Sequence, residues 1–438
     1  MHRLSERGMK ALAQVLIHVF FRRVELQHAA RLPASGPVVL VANHTNGLVD
    51  GLLLLATLGR YPRFLGKSTL FKIPPLWPFL KFAGVIPVYR LIDGTTGERN
   101  VSAFATCHEI LARGGTVALF PEGISHDESS LQPLRTGAAR IALEAGIESR
   151  VPGVVTVAVG LTYDAKARFR SRALVRVGQP VPVAGWAEAY QREAHEAVRQ
   201  FTAAVVDQLT LVSPPYESWA EAERMGAIAR VMVRSPEGSL PEDVALADQA
   251  GVADRLARVG DDRPPKQALL TAFAAYQRDL DLLGLDDAQV TARYPAGTLR
   301  RTLVWSVLKV LAALPFAVLG VVVHVVPFQL MKRLAQLPAN EGIKATVKLL
   351  GCFILFVIVY AALGVLAGRA FGAWVGLAVA VAAPGCGYVA VRLGERAQRI
   401  GGLLEGYRTV RDRRGVLRTV VARRAEVVRA AGAVLALP

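Results

Sequence analysis

The stretch GPVVLVANHTNGLVDGLLLLATLG, residues 36–59, sets a polar turn between two apolar runs that both need burial. The run before the turn has the length of a buried strand, and a longer leucine-rich run follows it. Asn and Gly favour turns, so the stretch predicts a strand, a loop and then a helix. A turn does not explain why the histidine His44 stands six positions before the carboxylate Asp50.

The spacing of His44 and Asp50 constrains how the two side chains can meet. On one continuous helix, six positions correspond to a rotation of about 600°, which places the side chains on different faces. They can meet if His44 lies in the loop and Asp50 near the start of the helix. The carboxylate would then fix the imidazole tautomer, and the other ring nitrogen could take a proton from a hydroxyl. The pair predicts base-assisted attack by an alcohol, and a structural His–Asp pair is the alternative.

The surrounding region alternates short strand-like runs with helical ones. The strand-like runs are PVVLVA, RFLG, AGVIPVYR, TVALFPEG, GVVTVAVGLTY and ALVRVGQPV. Apolar runs of four to eight residues separated by helices predict an α/β domain with a mainly parallel sheet. We assign this domain to residues 32–184.

Two further segments of this domain carry candidate ligand groups. Glu122 and Gly123 follow an apolar strand, where α/β folds place ligand-binding groups, so Glu122 would bind a substrate hydroxyl or brace a cation. Arg135 stands beside a predicted helix N-terminus, which favours anions, although a surface ion pair is the alternative for this side chain. Arg90 ends a strand-like run and would clamp a phosphate with two hydrogen bonds. Lys67 would add positive charge there or contact lipid headgroups.

Three long apolar segments lie in a predicted membrane region, residues 301–393. They cover residues 303–330, 347–368 and 370–391, and each is long enough to span about 30 Å of hydrocarbon. The last two are so close in sequence that we expect a hairpin over 347–391.

The charges around residues 303–330 predict an unusual topology. Basic pairs stand at 300–301 and 332–333, so the positive-inside rule puts both ends of this segment on the cytoplasmic side. A single crossing cannot do that. We therefore expect a re-entrant or in-plane element bent near Pro315, with a plain crossing helix as the alternative.

The other regions are predicted to be helical. Residues 1–31 have no signal-peptide pattern and predict an amphipathic helix, either in the membrane interface or packed on the α/β domain. Residues 185–300 read as a soluble helical region. Residues 394–438 form a basic amphipathic helix that would face anionic lipid, with a solvated terminus as the alternative.

The composition indicates an anionic partner. The formal net charge is +17 and the pI is about 10.2, which fits nucleic acid, anionic lipid or a phosphate-bearing substrate. The apolar segments favour an anionic phospholipid bilayer, and no recognition motif for nucleic acid is present. The three cysteines, Cys107, Cys352 and Cys386, are far apart and predict neither disulfides nor a metal site. We expect an integral membrane protein with its α/β domain on the cytoplasmic face.

Four motifs in a fixed order resemble those of the glycerolipid acyltransferase superfamily. They are NHTNGLVD (43–50), GVIPVYR (84–90), FPEGIS (120–125) and VPGVVTVAVGLTY (151–163). The resemblance covers roughly residues 32–182. It implies that His44 is the general base and Asp50 its partner, and that Arg90 and the turn at Glu122 and Gly123 bind a glycerol phosphate.

The resemblance also implies a reaction. The donor would be an acyl thioester, acyl-CoA or acyl-ACP, with no metal and no other cofactor. The acceptor would be glycerol-3-phosphate or dihydroxyacetone phosphate in phospholipid biosynthesis, with lysophosphatidic acid as the alternative. One departure is that five residues, not four, separate His44 from Asp50, which a bulge at Asn46 and Gly47 would absorb. An acyl-thioesterase and a non-enzymatic lipid-binding membrane protein are the lesser alternatives.

Overall fold

The computed structural model describes residues 2–73, 76–89, 100–166, 168–234, 240–241, 243–337, 347–412 and 414–437. The chain forms two compact units. One comprises Met1–Ser218 with Pro338–Leu349, and the other Trp219–Leu337 with Leu350–Pro438.

The first unit is an α/β structure. Its described part contains the strands β1 (Arg23–Gln27), β2 (Val38–Ala42), β3 (Pro62–Lys67), β4 (Ile86–Val88), β5 (Thr116–Leu119), β6 (Val155–Tyr163) and β7 (Arg172–Pro182). Its described helices are α1 (His2–Phe20), α2 (Leu48–Thr57), α3 (Trp77–Ala83), α4 (Val101–Ala112), α5 (Gly137–Leu143), α6 (Ala187–Arg192) and α7 (Ala194–Val212).

The strands form one sheet in the order β1-β7-β6-β2-β5-β3-β4. Among these described strands, only β6 and β7 pair antiparallel, and their register shifts between Val157 and Val159. The predicted mainly parallel sheet is therefore confirmed. Strand β2 is buried along its whole length between β5 and β6, as expected for an apolar strand covered on both faces.

The N-terminal region holds a strand as well as the predicted helix. Strand β1 pairs in parallel with β7 at the edge of the sheet. Helix α1 buries Met9, Ala13 and Ile17, and Lys10 Nζ donates to the Leu58 carbonyl oxygen at 2.7 Å. Leu4, on the other hand, is largely exposed. One face of the helix is thus packed on the α/β unit, and the opposite face stays available to a membrane interface.

The α/β unit extends beyond the predicted boundary at residue 184. Helix α7 packs on β6 and β7 and buries Phe201, Val205 and Leu209. A sheet that is apolar on both faces needs helices on both, and α7 supplies part of this cover.

The second unit is helical in its described part. It contains α8 (Trp219–Val233), α9 (Leu246–Ala257), α10 (Pro264–Leu283), α11 (Asp287–Thr291), α12 (Ala296–Leu334), α13 (Cys352–Phe371), α14 (Ala373–Asp412) and α15 (Arg414–Leu435). A buried carboxylate joins several of them. Asp287 accepts hydrogen bonds from the Tyr276 hydroxyl, Arg234 Nη1 and Arg424 Nε, each at 2.8 Å.

Three described helices are long and apolar enough to cross a membrane, namely Ala296–Leu334, Leu349–Phe371 and Ala373–Asp412. The last two are joined at Gly372 and pack on each other, which gives the expected hairpin. Helix α12 continues as one helix through Pro315 and Pro327, so the chain does not reverse at Pro315. Its predicted position in the membrane, in-plane or crossing, stays a prediction. Proline removes one backbone hydrogen bond, whereas a reversal in apolar surroundings would leave several backbone groups unpaired.

The C-terminal region differs from the single lipid-facing helix predicted for residues 394–438. It comprises the end of α14 and a separate helix, α15. The apolar stripe of α15 packs on α10 and is buried at Val420, Val427 and Ala431. The stripe has a protein partner, so it is not available to lipid.

Candidate functional site

The loop that carries His44 lies at the carboxyl end of β2, near the middle of the sheet. Strand β2 ends at Ala42 and helix α2 begins at Leu48. Gly47 has a φ of 57° and a ψ of −132°, a conformation open mainly to glycine, and this tightens the turn. Ligand groups in open parallel sheets cluster at this edge. The local fold is the predicted strand, loop and helix.

His44 and Asp50 meet as the spacing predicts. The Nδ1 atom of His44 lies 2.9 Å from Oδ2 of Asp50. An ionised carboxylate only accepts hydrogen bonds, so Nδ1 carries the proton and Nε2 has a free lone pair. No described residue hydrogen-bonds Nε2, and the His44 side chain is 17% exposed. The ring can therefore accept a proton from a bound hydroxyl.

Asp50 is fully buried, and protein donors hold it in place. It accepts hydrogen bonds from the Asn46 backbone N–H at 2.8 Å and from the Tyr163 hydroxyl. Burial, followed by the negative charge of Asp50, raises the pKa of the Tyr163 phenol well above its usual range. Tyr163 thus remains a proton donor to Asp50 at any physiological pH.

Packing fixes the orientation of the imidazole ring. His44 stacks on Phe120, with 3.9 Å between ring centroids and 11° between planes. The side chain of Asn43 ties the loop to β6, because Nδ2 donates to the Leu161 carbonyl and Oδ1 accepts from the Leu161 N–H. Such support limits motion of the base relative to a bound substrate.

Glu122 takes a different position from the predicted substrate contact. Its side chain is buried, Oε1 accepts from the His44 backbone N–H at 2.7 Å, and Oε2 accepts from Gln132 N–H at 2.8 Å. His126 Nε2 also contacts Oε2 at 2.5 Å. Both carboxylate oxygens are used within the protein, so Glu122 braces the His44 loop and does not face a ligand.

Two further residues of the same segment were not singled out from the sequence. The Glu128 N–H donates to His126 Nδ1 at 3.2 Å, so the proton of the neutral ring lies on Nε2 and points at Glu122. Ser125 Oγ accepts from the Gly47 N–H at 3.1 Å. The sequence feature that could have identified His126 is its position four residues after Glu122, within reach of that carboxylate.

Arg135 lies over the turn that follows Glu122. Gly123 has a φ of 76°, and a Cβ atom built on it would lie 2.6 Å from Arg135 Nε. Arg135 is exposed, and within the described ranges its guanidinium has no hydrogen bond or ion pair. This leaves a positive charge available to an anionic ligand beside the loop that holds His44.

The structure gives less information on the two remaining predicted site residues, Lys67 and Arg90. Lys67 is the last residue of β3, which runs parallel to β5, so it belongs to the same edge of the sheet. Arg90 lies outside the described residues. The structure thus brings together His44, Asp50 and the Glu122 turn with Arg135.

In the described part of the chain, the His, Cys, Asp and Glu side chains form no group of three or more that could hold a metal ion. Cys107 is buried, and burial raises the pKa of its thiol to about 12, so it is a poor nucleophile at neutral pH.

Comparisons with known proteins give a consistent result. Residues 23–160 match the family model named Acyltransferase. Over 290 residues the chain is 28% identical to "Glycerol-3-phosphate O-acyltransferase 2" of Saccharomyces cerevisiae, which covers 61% of this chain and 38% of that protein. Over 182 residues it is 30% identical to "1-acyl-sn-glycerol-3-phosphate acyltransferase alpha" of Homo sapiens, which covers 41% of this chain and 62% of that protein.

A solved structure is also similar. The 1-acyl-sn-glycerophosphate acyltransferase of Thermotoga maritima matches with a TM-score of 0.33 and 19% identity. The match covers 46% of this chain and 81% of that chain. The chain spans well under half the length of the yeast relative and less than two thirds of the human one.

Proposed function

Because residues 23–160 form an acyltransferase domain of the glycerolipid acyltransferase superfamily, we propose that the chain is a membrane-bound glycerol-phosphate O-acyltransferase. It moves a fatty acyl group from acyl-CoA or acyl-ACP to a glycerol phosphate in phospholipid biosynthesis. The basic pair at 300–301, between the acyltransferase domain and the first apolar segment, supports a cytoplasmic position of this domain.

One observation carries the proposal. His44 is held by buried Asp50 at 2.9 Å and keeps its Nε2 unengaged by described residues, beside a turn covered by the cation Arg135. A general base next to a cation suits an acceptor that carries both a hydroxyl and a phosphate.

The reaction follows from this geometry. His44 Nε2 takes the proton of the acceptor hydroxyl while the hydroxyl oxygen attacks the thioester carbonyl. Asp50 stabilises the imidazolium that forms. The tetrahedral intermediate then expels the thiolate, which takes the proton back from His44, so an ester and a free thiol leave the site. Arg135, with Arg90 and Lys67, holds the acceptor phosphate.

Glycerol-3-phosphate or dihydroxyacetone phosphate is the proposed acceptor. The five-residue gap between His44 and Asp50 and the C-terminal membrane region resemble the fungal-type branch of the superfamily, whose members acylate glycerol-3-phosphate or dihydroxyacetone phosphate. A yeast relative bears the name of a glycerol-3-phosphate O-acyltransferase. Lysophosphatidic acid is the second candidate, favoured by the name of the human relative.

The test is an assay of the purified full-length protein with labelled palmitoyl-CoA and each of the three acceptors. We expect acylated product with the highest kcat/KM for glycerol-3-phosphate or dihydroxyacetone phosphate. Thiol release that no acceptor stimulates would instead indicate a thioesterase, and lipid binding without turnover a non-enzymatic protein.

The variant His44→Ala tests the role of the base. We expect activity to fall by about 10²- to 10⁴-fold, the usual contribution of a general base. Membrane binding should be kept, and the free energy of unfolding should fall by about 1–3 kcal/mol, because the buried Asp50 loses one donor and keeps those of Asn46 and Tyr163. Normal acyl transfer by this variant would exclude the proposed mechanism.

A further inference from the structure

A groove on the second unit lies outside the acyltransferase domain. It has a volume of about 700 Å³ and lies between the first part of α12 and the charged part of α14. The residues of its lining that matter here are Arg301, Thr302, Trp305, Ser306, Lys309 and Arg396. All but Arg396 fall on one face of α12, because they are spaced by one, three or four positions.

The groove is strongly cationic. Arg301, Lys309 and Arg396 all line it, and none of its described lining residues is acidic. In the described ranges no hydrogen bond or ion pair engages these three side chains. Glu395, the acid next to Arg396 in sequence, pairs with Arg392 at 3.2 Å. Three unneutralised cations that share one groove repel each other, which an anion would relieve.

The groove lies where two apolar helices become charged. On α12, residues 310–330 carry no Lys, Arg, Asp or Glu, and this stretch begins directly after Lys309. On α14, residues 373–391 are likewise free of these four residue types, and Arg396 follows one turn later. Trp305, one turn before Lys309, is exposed, as is usual for indoles at headgroup level.

The donor set fits a phosphate group. Two guanidinium groups can each give paired N–H donors to phosphate oxygens, and the Lys309 ammonium adds a point charge. The hydroxyls of Thr302 and Ser306 add further donors. A basic pocket between apolar helices at headgroup depth is a recurring form of site for anionic lipid headgroups.

We propose that this groove binds the phosphate of an anionic glycerophospholipid headgroup. The site is separate from His44 and does not depend on the acyl-transfer reaction. It differs from a diffuse attraction between basic residues and a charged bilayer, because it depends on the three cations that face one groove.

The experiment uses the full-length protein in detergent, titrated with dioleoylphosphatidylglycerol and followed by native mass spectrometry. The test variant replaces the three groove cations: Arg301→Gln, Lys309→Gln and Arg396→Gln. The matched control removes the same charge from residues flanking the apolar segments but outside the groove lining: Arg300→Gln, Lys332→Gln and Arg399→Gln.

We expect the groove variant to bind phosphatidylglycerol at least about tenfold more weakly, which is a loss of about 1.4 kcal/mol. The control variant should change affinity by less than about threefold. Equal losses in both variants would show diffuse attraction, and no loss in either would also overturn the proposal. If the triple variant unfolds, Arg396→Gln alone, compared with Arg399→Gln, gives the same comparison.

A second arm separates a lipid from a soluble phosphate. Inorganic phosphate and glycerol-3-phosphate, at the concentration that half-saturates the site with phosphatidylglycerol, should displace little of the bound lipid. Full displacement by either would overturn the assignment to a lipid headgroup. Phosphatidylcholine, whose phosphate is neutralised by choline, should bind more weakly than phosphatidylglycerol, and equal binding would also overturn it.

Discussion

Tyr163 connects the centre of the sheet to the proposed base, although it is 113 residues from Asp50 in sequence. Replacing it by Phe keeps the ring that stacks on Phe21 but removes the donor to the buried carboxylate. An unsatisfied buried acceptor costs about 1–3 kcal/mol, and a looser His44 should lower kcat by roughly ten- to hundredfold.

The measurement for Tyr163→Phe is steady-state kinetics that determines kcat and KM separately. Because Tyr163 acts through Asp50, kcat should fall while KM for donor and acceptor stays nearly constant. The control is Tyr61→Phe, which removes a hydrogen bond to the Ala83 carbonyl in the same unit and leaves Asp50 untouched. An equal loss of kcat in both variants would mean that Tyr163 is merely structural.

Gly123→Ala tests the cation over the turn. Gly123 and Gly153 have nearly the same φ, 76° and 71°, but a Cβ atom would meet Arg135 only at Gly123. Alanine at either position should cost about 1–2 kcal/mol of stability. Only Gly123→Ala should also raise the acceptor KM in steady-state assays, since it displaces Arg135. A similar KM rise in Gly153→Ala would contradict a phosphate role for Arg135.

The sequence could predict the pair of His44 and Asp50, but not the residues that hold this pair in place. His44 and Asp50 stand in one motif, and the turn formers between them indicate how they meet. Tyr163 and Asn43, by contrast, act across the sheet, and no local spacing reports a partner more than a hundred residues away. The sequence leaves Glu122 to a substrate hydroxyl or to a neighbouring cation, because it does not show that both carboxylate oxygens already have protein donors.

At the scale of elements, Asp287 holds the helices of the second unit together. Asp287→Ala leaves Arg234 and Arg424 without their carboxylate, and stranding a buried charge costs about 3–5 kcal/mol. Thermal unfolding of the full-length protein should show this loss. Asp281→Ala, which removes an exposed carboxylate bonded to Gln277, is the control and should change stability by less than about 1 kcal/mol. Equal losses of stability in the two variants would mean that the hydrogen bonds of Asp287 contribute nothing to the stability of the second unit.

Strands and helices of the α/β domain were predictable where apolar runs alternate with turns. Strand β1 was not, because its short sequence RVELQ carries charges that an edge strand tolerates and a buried strand does not. The apolar stripe of α15 shows a different limit of sequence-based prediction. Its periodicity predicts an amphipathic helix, but it does not tell whether the apolar face contacts lipid or, as here, the neighbouring helix α10.

At the scale of the whole molecule, the three long apolar helices predict firm attachment to the bilayer. Washing membranes with alkaline carbonate should leave the chain in the pellet, because each helix has enough apolar residues to span the hydrocarbon. A peripheral protein of the same membranes is the control and should be released. Recovery of the chain in the supernatant would contradict membrane insertion of these helices.

The bulge between β6 and β7 lies in β7, because the two steps from residue 157 to 159 of β6 match three steps, from residue 180 to 177, of β7. Strand β6 keeps a regular register with β2 on its other side up to Val159, four residues before Tyr163. Side chains alternate between the two faces of a strand, so this unbroken register sets which face Tyr163 occupies. Deleting Ala158 would shift every later residue of β6 by one position and turn the phenol away from Asp50, so a one-residue deletion here should cost activity even where the sheet still forms.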